Sequence, residues 1–283
     1  MKIGIVGYGF VGKALFNALN QTTSVIKIDP KLGTGLLDLA KFNPDYIFIC
    51  APTPMSDDEL QDISIVKKII IDIKKLNIKG LIVIKSTVLP NYLNEIEKIN
   101  SEIVYNPEFL REKSANEDFI NSNLIVFGGN KKNCDSLANF YNVHTKCISK
   151  EYVFTDLITA SFIKYTINSF LANKVIFFNQ LNKLYNSVNS TDNWENLISY
   201  VSLDSRIGNS HMDVPGHDGR YGFGGACLPK DSKAFYEFSK SMNEPLSLLN
   251  EVIRTNNLIR SEYNTITDRE IIQNISYKND KED

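Results

Sequence analysis

Gly7-Tyr8-Gly9-Phe10-Val11-Gly12 decides how this chain is read. The stretch follows the apolar run Lys2–Val6 and leads straight into a helical pattern. Glycines at this spacing have separate tasks. The first permits a tight turn, the second lets a pyrophosphate approach the backbone, and the third lets helix and strand pack closely. The helix that follows offers oriented N–H groups and a partial positive charge to the phosphates. Alone, the spacing is common. Asp29 adds specificity: it closes the next apolar run, Ser24–Ile28, 17 residues beyond Gly12. A carboxylate there accepts hydrogen bonds from the adenosine ribose hydroxyls and repels a 2′-phosphate. The combination predicts an NAD site that includes Gly7, Gly9, Phe10, Val11, Gly12 and Asp29.

Working outward, the first 150 residues alternate β-branched runs with helical or turn-rich segments. The runs are Lys2–Val6, Ser24–Ile28, Tyr46–Cys50, Leu81–Lys85, Glu102–Tyr105, Leu124–Phe127 and about Thr145–Ile148. Apolar strands separated by crossover-length segments predict βαβ units on a parallel, doubly wound, Rossmann-like α/β sheet. Two strand ends carry small hydroxyl residues in Ala51-Pro52-Thr53-Pro54 and Ser86-Thr87-Val88. Ligands in such sheets bind outside the carboxyl ends of the strands, so Pro52, Thr53, Ser86 and Thr87 are candidate cofactor contacts. From Tyr152 to Val188 there is neither Gly nor Pro, and apolar residues recur at helical spacing. That predicts one long central helix, buried on several sides and suited to pairing with its symmetry mate. Shorter helices are expected over Asp192–Leu203, Asp231–Ser241 and Leu246–Ile259. The expected organisation is a nucleotide-binding domain over 1–150, an all-helical domain over 151–260, and a polar, flexible tail over 261–283.

Composition excludes several classes. The 283 residues are 43% hydrophobic and 23% charged with net charge −2, so no basic field points to nucleic acid. No apolar stretch reaches the roughly 20 residues of a membrane helix. The N-terminus lacks a signal-peptide layout, and a cytoplasmic protein with reduced thiols is expected. Cys50, Cys134, Cys147 and Cys227 lack the paired spacing of a zinc site, and no metal is expected.

Cys227 stands apart. It lies in Gly222-Phe223-Gly224-Gly225-Ala226-Cys227-Leu228-Pro229-Lys230-Asp231, beside a lysine and a helix start. Both neighbours favour the thiolate, and the glycines let a ligand approach the backbone. The bland alternative is a structural cysteine in a polar loop. Asn106-Pro107-Glu108-Phe109-Leu110-Arg111-Glu112 places two carboxylates four residues apart after a strand. Lys164 and Asn168 share one face of the long helix; such a pair is more often a solvated face, but Phe162, Ile163 and Ile167 around it strengthen the case that the lysine is drawn into a site.

Together, GYGFVGKAL, KSTVLP, NPEFLRE, KYTINSFLANK, DSRIG and GFGGACLPKD, in that order over about residues 1–260, resemble the UDP-glucose and GDP-mannose dehydrogenase family. The resemblance implies a two-step, four-electron oxidation of a nucleotide sugar with two NAD. UDP-glucose is the first candidate substrate, with GDP-mannose or a UDP-N-acetylhexosamine behind it. Cys227 is similar to the family's nucleophile, which traps an aldehyde as a thiohemiacetal and carries the later thioester. Lys164 and Asn168 resemble the pair that stabilises the oxyanion and holds the sugar. Asp231 resembles the carboxylate that orients water or lysine, and Glu108 the base of thioester hydrolysis. Thr87, Glu112 and Lys230 resemble cofactor-side contacts. Phe109, Leu110, Arg111 and Glu112, with the backbone of Phe223, Gly224 and Gly225, resemble sugar-binding loops. Arg206 resembles an arginine that reaches a partner subunit's substrate phosphates, which implies a homodimer through the helix at about 152–188.

Two departures stand out. The family's second α/β domain is not in this sequence, and a long polar segment, Gly208–Tyr221, separates Arg206 from the glycine run. His211, His217 and Arg220 in that segment either face the diphosphate or uridine or, with equal weight, belong to a surface loop lengthened by drift. A truncated, inactive NAD-binding or dimerisation module and an ordinary single-step dehydrogenase are the competing readings.

Overall fold

The computed structural model describes residues 1–149 and 151–277, apart from the side chain of Glu112. The chain divides into two compact units, one of Met1–Thr53 with Gln61–Lys164, the other of Pro54–Leu60 with Tyr165–Asp283. The division falls inside the long helix, so the first unit extends beyond the residue-150 boundary suggested by the sequence.

The first unit is built on one sheet of β1 (Lys2–Val6), β2 (Ser24–Ile28), β3 (Tyr46–Ile49), β4 (Leu81–Ile84), β5 (Ile103–Tyr105), β6 (Val126–Gly129) and β7 (Val153–Thr155). Its strand order is β2-β1-β3-β4-β5-β6-β7. The crossovers are α1 (Phe10–Ala18), α2 (Leu36–Phe42), α3 (Ser64–Lys75), α4 (Pro90–Ile99), α5 (Ala115–Ile120) and α6 (Lys131–His144). The central strands are apolar throughout because both faces are covered. Ile47 and Ile49 of β3 pack in one core with Ile82, Ile84, Ile70 and Leu93. Tyr46 and Phe48 pack in the other with Ile3, Ile5, Leu15 and Phe140. This is the alternation of a strand between two helical layers. Cys134 and Cys147 are buried in the second core as small apolar residues.

The sheet departs from the sequence reading in two ways. β6 runs antiparallel to β5, pairing Val104 with Gly129 and Tyr105 with Gly128. The expected strand at Thr145–Ile148 does not form; Thr145 makes one isolated bridge to Leu19. The seventh strand is instead Val153–Thr155, parallel to β6, in a stretch expected to be helical. Asp156 explains the changed helix start. Its carboxylate accepts the Thr159 amide at 2.8 Å and hydroxyl at 2.7 Å, an N-terminal cap that fixes the first turn.

The helix that follows, α7 (Leu157–Ser187), has 31 residues and a length of roughly 46 Å. The second unit assembles the part of α7 beyond Lys164 with α8 (Trp194–Val201), α9 (Leu228–Ser241), α10 (Ser247–Arg260) and α11 (Asp268–Ile272). Ala172 and Ile176 of α7 bury Phe223 with Val252 and Ile259 of α10. Phe178 packs with Trp194 of α8 and Met212. The N-cap of α8 is Asn193, whose side chain accepts the Asn196 amide, rather than Asp192. The expected polar tail also differs. Thr267 caps α11 (Asp268–Ile272) in a complete capping box, and Glu270 is fully buried. Among the described residues no helix is long and apolar enough to cross a membrane.

Candidate active site

In the first unit, the three glycines divide their tasks as the spacing requires. Gly7 has φ +93°, and a Cβ there would stand 2.6 Å from the Cys50 carbonyl oxygen. A Cβ on Gly12 would stand 2.2 Å from the Gly7 carbonyl oxygen, so α1 closes onto β1 only because that atom is missing. Around Gly9 a Cβ would meet nothing within 4 Å. Gly9 is also the N-cap of α1, where no side chain accepts a hydrogen bond from the first turn. The Asp29 carboxylate accepts the Tyr8 amide at 2.7 Å and the Lys31 amide at 2.9 Å, and so stands at the edge of the glycine turn. β1 and β3 are neighbours whose connections leave in opposite directions, the switch point where open α/β sheets bind ligands. Open backbone at Gly9, an uncapped helix end and a carboxylate at the ribose position fit NAD.

The strand-end hydroxyls have a bracing task. Buried Ser86 donates to the Ala51 carbonyl at 2.6 Å, and buried Thr53 donates to the Thr87 carbonyl at 2.9 Å. Gln61, which the sequence did not single out, donates to the same Thr87 carbonyl at 2.8 Å and accepts the Leu89 amide at 3.0 Å. Pro52 lies on the exposed side of this turn.

Glu108 and Lys164 come together within the same unit. Their side chains are 7% and 3% exposed and their charged atoms are 3.5 Å apart. Lys164 also donates to the Glu108 carbonyl at 2.6 Å and lies over the Phe109 ring at 5.4 Å. The second Glu108 oxygen accepts the Leu110 amide at 2.6 Å. Beside this loop is a cavity of about 30 Å³ lined by Lys85, Asn106, Glu108 and Tyr141, enough for a water. Lys85 is buried and donates to the Asn106 side-chain oxygen at 2.9 Å and to its carbonyl at 3.1 Å. Burial pushes its ammonium down to about 8, against the attraction of Glu108. Burial likewise pushes the Cys50 thiol up to about 12. Arg111 turns away to an exposed bidentate pair with Asp118, at 2.7 and 3.1 Å. The Glu112 side chain lies outside the described residues.

In the second unit, Cys227 is half-buried at the N-cap of the 14-residue helix α9. One turn on, Asp231 is 1% exposed and takes two donors: Asn168 at 2.6 Å and Lys230 at 2.5 Å. Asn168 and Lys230 are each 6% exposed, so this is a buried, charge-assisted network. Lys230, expected on the cofactor side, spends its ammonium on Asp231. The backbone ahead of Cys227 is held from three helices. Asn179 of α7 accepts the Gly222 amide at 2.9 Å, Asn256 of α10 accepts the Phe223 amide at 2.7 Å, and Glu270 of α11 accepts the Gly225 amide at 3.0 Å.

Arg220 donates to the Thr265 carbonyl at 2.8 Å and to its hydroxyl at 2.5 Å, and lies over the Tyr263 ring. Its guanidinium therefore has protein partners where one of the two readings put a diphosphate. His217 is exposed and His211 is half-buried at φ +61°. Arg206 is 87% exposed and pairs with Asp204. Asn179, Asn256, Arg260 and Glu270 were missed from sequence. The available signals were polar residues on apolar helix faces and the Thr267-x-x-Glu270 spacing of a capping box.

Comparison with known sequences matches residues 37–147 to the NAD binding domain of the UDP-glucose/GDP-mannose dehydrogenase family. Residues 158–258 match the central domain of the same family. The chain is 37% identical over 221 residues to a UDP-glucose 6-dehydrogenase of Rickettsia bellii, covering 76% of this chain and 49% of the relative. It is 32% identical over 298 residues to a UDP-glucose 6-dehydrogenase of Campylobacter jejuni, covering 91% of this chain and 72% of the relative. The chain thus spans about half the length of the Rickettsia relatives it matches. Among solved structures, a UDP-glucose dehydrogenase from Pyrobaculum islandicum aligns with TM-score 0.72 at 24% identity, over 91% of this chain and 68% of that one. That likeness supports the fold.

Proposed function

This chain belongs to the UDP-glucose/GDP-mannose dehydrogenase family and takes NAD as its cofactor, and from that premise we propose that it oxidises C6 of a nucleotide sugar, UDP-glucose first, to the uronic acid. The observation that carries this reading is Cys227 at the N-cap of α9, one turn from the buried Asp231 that holds Asn168 and Lys230. NAD, when bound, removes a hydride from C6 in each of two oxidations.

The protein's residues do the rest. Lys164 and Asn168, as fixed donors, stabilise the negative charge that develops on the C6 oxygen. The Cys227 sulfur adds to the C6 aldehyde to give a thiohemiacetal, and the partial positive charge of the helix end favours the thiolate for that attack. After the second oxidation the C6 carbon is a thioester of Cys227. Glu108 is assigned as the base that takes a proton from the attacking water, and the thiolate leaves. The balance is one alcohol, one water and two NAD⁺ giving one carboxylate, two NADH and three protons. Asp231 holds the Asn168 amide in its donor orientation throughout. Thr87 is a further assigned contact on the NAD side, where Thr53 and Gln61 brace its carbonyl.

The test is stoichiometric. Purified protein is incubated with NAD and UDP-glucose, GDP-mannose or a UDP-N-acetylhexosamine, and NADH is counted per sugar consumed. The expected ratio is two with UDP-glucose. A ratio of one indicates a simple alcohol dehydrogenase, and none indicates an inactive module. Cys227→Ser is expected to halt before hydrolysis; full steady-state turnover in that variant removes the nucleophile.

The protein is further proposed to act as a homodimer in the cytoplasm. Phe170, Phe177 and Leu184 of α7 are 66%, 61% and 62% exposed at seven-residue spacing, a stripe that suits the same helix of a second copy. Arg206, exposed beyond that helix, is assigned to the second copy's substrate phosphates. Phe177→Glu is expected to convert a sedimenting dimer to monomer. A parent protein that sediments as a monomer at micromolar concentration rules the dimer out.

A further inference from the structure

Glu270 does more than cap a short helix. Its Oε2 completes the capping box, accepting the Thr267 amide and hydroxyl at 2.8 Å each. Its Oε1 plays no part in that cap and has three other donors. They are the Gly225 amide at 3.0 Å, the Tyr277 hydroxyl at 2.5 Å and the Arg260 guanidinium at 3.3 Å. The carboxylate is fully buried and Arg260 is 2% exposed. Arg260 in turn makes two contacts of 2.8 Å to Asp218, in the long polar segment.

The loop whose Gly225 amide donates this bond is rich in glycine. Gly222 and Gly225 sit at φ +74° and +78°, conformations that glycine enters and leaves freely. A Cβ on Gly224 would lie 1.9 Å from the Arg260 guanidinium, so the arginine packs directly on the backbone. Asn179 and Asn256 fix the first two amides of the loop, and Glu270 fixes the amide two residues ahead of Cys227.

We propose that Glu270 is a positioning residue for the Cys227 thiol, acting through the Gly225 amide, and that residues 261–277 therefore belong to the machinery of the thiol loop. This rests on the reading of Cys227 as the nucleophile. The physical basis is that a nucleophile misplaced by about 1 Å can lose on the order of 100-fold in rate. A buried anion with several charge-assisted bonds is a stiff anchor for such a loop.

The test compares Glu270→Ala, Glu270→Gln and Tyr277→Phe with the parent. Three quantities are read: kcat and KM with UDP-glucose and NAD, the iodoacetamide alkylation rate of Cys227 by mass spectrometry, and hydrogen exchange of the peptide 222–228. Glu270→Ala is expected to lower kcat by on the order of 100-fold, change the alkylation rate and raise exchange, with KM for NAD unchanged. Glu270→Gln retains an acceptor for the Gly225 amide and is expected to recover most of kcat. Tyr277→Phe is expected to give an intermediate rise in exchange. Alkylation and exchange within twofold of the parent in a folded Glu270→Ala overturn the proposal. Should that variant not fold, exchange in Tyr277→Phe that stays at the parent's rate overturns it. A failure of the nucleophile reading looks different: Cys227→Ser then turns over like the parent, while exchange in the Glu270 variants still responds.

Discussion

Gly9→Ala and Gly12→Ala separate two reasons for a glycine three residues apart in one motif. At Gly12 the added methyl carbon would stand 2.2 Å from the Gly7 carbonyl oxygen and 3.1 Å from Ile5 Cγ2. The first obstacle is backbone in a tight turn and cannot rotate away. Overpacking of this kind costs about 1–3 kcal/mol, and the rigid neighbour places it near the upper end. Alanine regains about 1 kcal/mol of helix propensity, which leaves a loss of about 2 kcal/mol. For a domain of this size that lowers Tm by roughly 4–8 °C. At Gly9 the same methyl meets nothing within 4 Å. Its backbone is extended, so the loss should stay within about 1 kcal/mol, the usual cost of alanine at an N-cap. That open space is where a pyrophosphate would approach. Gly9→Ala is therefore expected to weaken NAD by about tenfold or more, at least 1.4 kcal/mol. Calorimetric melting without ligand and isothermal titration with NAD read the two effects independently. A Gly9→Ala variant that binds NAD like the parent, or loses as much stability as Gly12→Ala, refutes this division of tasks between the two glycines.

Further predictions concern buried charge. Asp231→Asn puts an amide donor against Asn168 or Lys230, and losing one charge-assisted bond costs about 1.5–3 kcal/mol. The urea midpoint should fall accordingly; an unchanged midpoint shows that the network contributes nothing. Bonds from Tyr277, Thr267 and Gly225 outweigh the cost of burial and hold the Glu270 carboxyl down at about 2, below its ordinary 4.5. Its contribution to stability is then complete above pH 4.5 and lost as pH falls towards 2. Melting curves of parent and Glu270→Gln should converge across that window, and parallel curves would contradict the assignment. Lys85 has the opposite sense. Its ammonium, at about 8, loses its proton in the folded state before the unfolded chain does at 10.5. Stability from this group should rise with pH between 8 and 10.5, and Lys85→Met should lack that rise.

Much of the first unit could be read from local pattern. Apolar runs bounded by turns marked β1 to β5, most plainly the central β3 and β4, whose two covered faces call for apolar residues at every position. The direction of β6 was not legible, since antiparallel and parallel pairing leave the same apolar residues on the same strand. β7 was misread as helix because Val153–Thr155 is too short for its period of two to outweigh the apolar run behind it. Asp156, the residue that ends the strand and caps α7, carried the correct boundary. The site showed the same division. Cys227, Lys164, Asn168, Glu108 and Asp231 stand in motifs, whereas Gln61, Asn179, Asn256 and Arg260 hold those motifs from distant helices and turns.

The sequence by itself determined where a pyrophosphate can approach, because a glycine's missing Cβ is a local property of its own residue. It also determined the thiol and its place at a helix start, because Pro229 and the apolar spacing of α9 are local too. Only the tertiary structure decided which charged groups remain available. Arg111 reads as part of a sugar-binding loop and Arg220 as a diphosphate or uridine contact, yet their guanidiniums hydrogen-bond Asp118 and Thr265. Only the fold, likewise, turned an expected polar tail into the anchor of the Cys227 loop. Glu270 meets Gly225 across 45 residues of sequence, and a buried carboxylate's partners are fixed by packing rather than by spacing along the chain.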